Sequence, residues 1–181
     1  CLDGNRLMKA YCIENNLSLK ESGKVIVARD ESEIKILYEL KNRAESSGSN
    51  VRIISAEELK EIEPYAMTTK LALFSPETAT VNPKEVLNCI EKEILSSKRA
   101  KIYYKTQFQE IEGQKVLTNK GTINFNYFIN CAGAYADKIC HKMDLGRNYS
   151  LLPFKGTYYK LRDKQKKMVK GNIYPVPDLR N

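Results

Sequence analysis

The chain has 181 residues, 42% of them hydrophobic and 29% charged, enough for one core or two small ones. No apolar run approaches the roughly 20 residues of a membrane span, and a single histidine among five scattered cysteines argues against a Cys/His zinc site. The net charge of +8 is spread along the sequence, with one local excess over residues 160–170, and an odd cysteine count without a secretory leader points to reduced thiols in a cytoplasmic compartment.

Residues 2–15 read as a helix. Both ends of the chain look cut, so the expectation is a piece of a longer protein. Residues 24–28 (Lys-Val-Ile-Val-Ala) predict a short strand, because β-branched side chains suit a pleated surface. A helix is predicted from Asp30 to about Ser47, with Ile34, Leu37, Tyr38 and Ala44 on one face and Gly48 as its stop. Residues 51–54 form the next strand. Ser55-Ala56-Glu57-Glu58 is a capping box that opens a short helix, and Pro64 ends it. Residues 71–74 are a brief apolar strand before a turn at Ser75-Pro76.

Asn82 caps a further helix with Pro83 at its first position, and Val86, Leu87, Ile90 and Ile94 are its expected buried stripe. Strands are predicted at 101–104, 108–112, 115–118 and 122–125, with tight turns at Gly113-Gln114 and Lys120-Gly121. Tyr127, Phe128 and Ile129 then read as a buried strand. It runs into Cys131-Ala132-Gly133 and opens a helix that reaches about Met143. Small residues at such a turn allow close backbone approach, and a helix N-terminus offers N–H groups to an anion. His141 reads as a solvated residue of that helix. Residues 151–161 and 168–176 look like a long hairpin, with 160–170 as its solvated tip. Pro175 and Pro177 put its second arm at a sheet edge or beside a ligand.

The pattern is α/β with hairpins interrupting the alternation, which implies a parallel-sheet domain interleaved with an antiparallel one. No two of the nine glycines are spaced two apart, so the sequence lacks the G-x-G-x-x-G phosphate turn. It also lacks a P-loop and a Gly-x-Ser-x-Gly elbow.

Several phrases, in order, carry a family resemblance. They are Asp3-Gly4-Asn5-Arg6-Leu7, residues 22–28, residues 56–64, Asn130 to Asp137, Leu152 to Tyr159 and Lys170 to Asp178. Together they resemble the FAD-dependent oxidoreductases of the D-amino-acid oxidase and glycerol-3-phosphate dehydrogenase superfamily. The last two phrases are most similar to the branch that oxidises L-2-hydroxyglutarate.

The resemblance implies a partial FAD-binding domain plus part of a substrate-binding domain. Residues 1–80 would be a substrate-domain part with helices, 81–147 an FAD-binding part, and 148–181 a substrate-domain hairpin. It implies FAD as cofactor, with the backbone of Cys131, Ala132 and Gly133 and the neighbouring Tyr135 near its ribose and pyrophosphate, and Phe108 near the adenine. Plain core packing is the competing reading of Phe108. Lys155, Tyr158 and Tyr174 are the implied substrate contacts, with Tyr174 preferred. Lys155 reads equally well as a surface lysine. No general base is recognisable, so the catalytic residue is left open.

The implied reaction is oxidation of a 2-hydroxy acid, most simply L-2-hydroxyglutarate to 2-oxoglutarate, by hydride transfer to flavin. Oxidation of glycerol 3-phosphate or of an amino acid is the alternative within the superfamily. A basic module for nucleic acid or an anionic surface is the alternative outside it, and no nucleic-acid motif supports that reading. Three further expectations follow for the chain. It would hold FAD weakly or not at all, its exposed strand edges would invite dimerisation, and the full enzyme would touch the inner membrane peripherally through the basic stretch.

Overall fold

Nine strands and five α-helices run through the described residues, 2–177, of the computed structural model. Helix α1 (Leu2–Glu14) leads into the two-residue strand β1 (Leu19–Lys20) and then strand β2 (Lys24–Val27). Helix α2 (Glu33–Ser46) starts where Asp30 Oδ1 accepts the Ser32 and Glu33 N–H groups at 2.9 and 3.2 Å. It stops at Gly48, whose φ of +76° is a left-handed exit that glycine adopts without strain. Strand β3 (Arg52–Ser55) hands over to helix α3 (Ala56–Ile62) through the capping box: Ser55 Oγ accepts from Glu58 N at 3.2 Å, and the Glu58 carboxylate accepts from Ser55 N at 3.0 Å. Strands β4 (Leu71–Ser75) and β5 (Thr80–Val81) precede helix α4 (Pro83–Ser96), capped by Asn82. Strands β6 (Phe108–Glu112), β7 (Lys115–Thr118) and β8 (Gly121–Asn124), helix α5 (Ala136–Lys142) and strand β9 (Asn172–Pro175) complete the order. No helix among the described residues is long and apolar enough to cross a membrane.

The chain divides into two compact units, one of Cys1–Ser97 with Lys160–Asn181 and the other of Lys98–Tyr159. The first is built on a four-stranded sheet of order β3-β4-β2-β9. Strand β2 pairs antiparallel with β4 and parallel with β9, setting Lys24 opposite Asn172 and Ile26 opposite Tyr174. Alternation along the strands divides the core. Val25, Ile54 and Ala72 face Leu59 of α3, while Ile26, Ile53 and Leu73 face Leu37 of α2. Each fully buried Leu or Ile side chain contributes about 1.5–3 kcal/mol to folding. The β1–β5 pair lies beside this sheet as a two-stranded ladder of its own.

The second unit holds the antiparallel meander β6-β7-β8 and helix α5. Three of its phenyl rings meet at tilted angles around Phe128. Phe108 and Phe128 lie 6.0 Å apart between centroids, and Phe125 and Phe128 5.7 Å.

The mixed α/β class with antiparallel pairing is the one expected, but several local readings change. Residues 101–104 and 127–129 form no strand, and Tyr127 and Ile129 are 92% and 81% exposed. Neither segment is laid against the open edges of β6 or β8, so its backbone has no ladder partner. The long hairpin is also absent. Residues 151–162 have no strand, a 3-10 helix covers Asp163–Met168, and β9 instead pairs in parallel with β2. On α4, Val86 is buried, but Leu87 is 65% exposed because it sits about 100° around the helix from Val86, and Ile90, one turn on, is also exposed at 38%. Tyr38 flanks the Leu37 row of α2 in the same way and stays exposed.

Candidate functional site

In the second unit, the turn before α5 is held open by two side chains. Asn130 Oδ1 accepts the Ala132 N–H at 3.2 Å, while its Nδ2 donates to Ala136 O at 2.8 Å. Asp137 Oδ2 accepts the Leu151 N–H at 2.9 Å, tying the chain beyond α5 back to the turn. That bond, joined by the Lys138 N–H and the nearby His141 and Lys138 charges, holds the Asp137 carboxyl below its usual range. Cys131 is exposed, and Gly133 has φ +54° with nothing within 4 Å of where a Cβ would stand. Tyr135 is exposed, with Lys138 Nζ 5.3 Å from its ring centroid. His141 is not simply solvated, since its Nε2 lies 3.1 Å from Gly146 O and 2.9 Å from Tyr149 O. Phe108 is half-buried against Phe128, so its ring packs. Lys155 and Tyr158 are exposed on the same unit's C-terminal stretch, outside any strand.

In the first unit, the edge of the sheet carries a cavity of about 410 Å³ over β2 and β9. Lys24, Thr78, Thr80, Asn172, Tyr174 and Pro175 are among its walls. Tyr174 thus lines a cavity while remaining 54% exposed, and Pro175 and Pro177 stand both at a sheet edge and beside that cavity. The turn leading into β9 is fixed by Glu63, which is 2% exposed. Its carboxylate accepts the Lys170 N–H at 3.0 Å and the Gly171 N–H. Gly171 is required here, because a Cβ would meet Ser22 O at 2.6 Å.

Tyr174, the preferred pocket residue of the sequence reading, lines this cavity, and its neighbours Lys24, Thr78 and Thr80 were not singled out. Pairing of β2 with β9 brings Lys24 and Asn172 together, beside the Asn172–Gly23 bond whose partners lie 149 residues apart, and no local pattern encodes that pairing. Asn130 and Asp137 carried a weak signal, as an Asn two residues before a small-residue turn and an Asp in a helix's first turn.

The family model described as "DAO: FAD dependent oxidoreductase" matches residues 1–181. This chain belongs to the DAO family of FAD-dependent oxidoreductases. It is 33% identical over 196 residues to the mitochondrial L-2-hydroxyglutarate dehydrogenase of Nematostella vectensis, covering 98% of this chain and 43% of that protein. It is 29% identical over 183 residues to the L-2-hydroxyglutarate dehydrogenase of Escherichia coli (strain K12), again covering 98% and 43%. The chain therefore spans less than half the length of the curated relatives it matches. Among solved structures, L-proline dehydrogenase from P. horikoshii superposes with a TM-score of 0.71 at 25% identity, covering 78% of this chain and 40% of that one. Glycine oxidase from Geobacillus kaustophilus shares the fold with a TM-score of 0.72 at 22% identity, covering 80% and 42%.

FAD is the cofactor of the DAO family. The Cys131–Gly133 turn suits the approach of such a molecule: its residues are small, Cys131 is exposed and a Cβ at Gly133 would meet nothing within 4 Å. The glycine-rich turn that grips a pyrophosphate is not in this sequence.

Proposed function

We propose that this chain is the central portion of an FAD-dependent oxidoreductase that converts L-2-hydroxyglutarate to 2-oxoglutarate. The observation that carries the reading is similarity across 98% of the chain to relatives of that name from an animal and a bacterium. FAD, when bound, supplies the two-electron acceptor. The chain's own residues bind and orient. Residues 81–147 form its FAD-binding part. There, Cys131, Ala132, Gly133 and Tyr135 lie along the ribose and pyrophosphate, and Phe108 offers backbone groups to the adenine while its ring packs on Phe128. Residues 1–80 and 148–181 form its substrate part. Pairing of β9 with β2 supports that assignment for the end of the second stretch, because it joins Asn172–Pro175 to Lys24–Val27 in one sheet. Tyr174 donates a hydrogen bond to the substrate, with Lys155 and Tyr158 as further contacts.

Removing the substrate's hydroxyl proton needs a base within hydrogen-bond reach. Among the described residues no histidine or carboxylate lines the cavity at Tyr174, and the base is assigned to a segment outside this chain. The protein works in a reducing, cytoplasmic compartment, with the exposed basic stretch 160–170 as a peripheral contact to an anionic membrane. Turnover assays on the protein completed with the segments its relatives carry outside the matched region test the reading. Oxidation of L-2-hydroxyglutarate is the expected result. Oxidation of glycerol 3-phosphate or glycine in its place would sink the substrate assignment.

A further inference from the structure

We infer that the cavity at the β2–β9 edge is a binding site for a small aliphatic carboxylate and that Lys24 is its cationic partner. Lys24 stands on β2, flanked by β4 on one side and β9 on the other. It is half-buried, and among the described residues its ammonium has neither an ion pair nor a hydrogen-bond acceptor. Other half-buried lysines of this unit are paired: Lys9 with Glu21, and Lys41 with Glu45 at 2.7 Å. A partly desolvated cation without an acceptor forgoes the hydrogen bonds that water would give it, and an anionic ligand restores them.

The surroundings select the anion. Because alternate residues share a face and Lys24 is in register with Asn172 as Ile26 is with Tyr174, these four side chains stand on one face of two adjacent strands. The Asn172 amide is fixed there by its bond to Gly23 O at 3.0 Å. The Thr78, Thr80 and Tyr174 hydroxyls add neutral donors, and no acidic residue lines the cavity among the described residues. Ile26, Ala79 and the two prolines supply apolar wall for a methylene chain. A phosphate asks for a fork of guanidinium or several backbone N–H groups, and among the described residues the site has no arginine and no N–H groups at Pro175 and Pro177. One charge, hydroxyls and an apolar wall suit a carboxylate on a short aliphatic chain.

This rests on the proposed function and deepens it, since one carboxylate of a five-carbon hydroxy diacid would sit on Lys24. The direct test uses the chain alone and glutarate, which has no hydroxyl to oxidise. Amide nitrogen–proton NMR spectra are recorded during titration. Saturable shifts at Lys24, Ile26, Asn172 and Ile173 are expected. Lys24→Met is expected to weaken binding roughly tenfold, the loss of one charge-assisted hydrogen bond, and Lys24→Arg to restore most of it. Neutral glutaramide should not shift these amides. Absence of shifts with glutarate, or equal shifts in a Lys24→Met protein whose remaining spectrum is unchanged, would overturn the inference. So would tighter binding of inorganic phosphate at the same amides. The two readings fail separately. A completed protein that oxidises L-2-hydroxyglutarate while the chain ignores glutarate contradicts the Lys24 site alone. Glutarate binding in a protein that oxidises only glycine or glycerol 3-phosphate contradicts the substrate alone.

Discussion

Glu63 is a buried carboxylate that serves the backbone, and its loss strands two N–H groups at the entrance to β9. Glu63→Ala should destabilise the protein by about 1–3 kcal/mol for the unsatisfied donors, and Glu63→Gln by less, read from urea unfolding midpoints. Gly171→Ala should be comparably harmful, because its Cβ would press on the backbone at Ser22 O. Ser55→Ala removes one half of the capping box and should cost about 1 kcal/mol. Glu33, half of the Arg29–Glu33 pair, has its carboxyl held below the usual value first by the Arg29 side chain and then by the Arg29 N–H. A depressed carboxyl stabilises the fold above its unfolded pKa, and that contribution fades as pH falls through the folded value. The unfolding midpoints of wild type and Glu33→Gln should therefore differ at pH 7 and converge in acid. Equal differences at both pH values would contradict this. The capping box was legible because its partners are three residues apart. The Glu63 clamp was not, since its donors lie 107 and 108 residues away.

Local chemistry set the elements with strong ends. Asn82-Pro83, Ser55-Glu58 and Gly48 all mark helix boundaries in the structure as expected. Strands fared worse where a partner decides. The apolar segment 127–129 and the residues 151–162 have suitable side chains but no ladder, whereas β9 finds one on β2. Tyr158 and Tyr159 consequently do not alternate on a strand, and Tyr159 is 99% exposed. The 3-10 helix Asp163–Met168 is exposed along its length and carries Lys164, Lys166 and Lys167. If this stretch touches an anionic membrane, the completed protein should float with phosphatidylserine vesicles at low salt. Changing the three lysines to Glu should leave it at the bottom of the gradient. Flotation unchanged by those substitutions would remove the basic stretch from the contact.

At the scale of the molecule, the chain pairs a sheet carrying a cavity with a separate unit carrying an open small-residue turn. Family membership was legible in the ordered phrases, because they run the length of the chain. The cavity was not, because it is assembled across a parallel pairing. Exposed apolar side chains such as Phe154 and Tyr159 should make the isolated chain self-associate, seen as concentration-dependent sedimentation. Without a glycine-rich turn it should also emerge from desalting colourless after incubation with FAD. The most direct test of the proposed function is anaerobic mixing of the completed, FAD-loaded protein with L-2-hydroxyglutarate while the flavin absorbance is followed. Bleaching by L-2-hydroxyglutarate, with 2-oxoglutarate formed in equal amount and no bleaching by glycerol 3-phosphate or glycine, is the expected result. A flavin that stays oxidised with L-2-hydroxyglutarate and bleaches with either of the other two would contradict it.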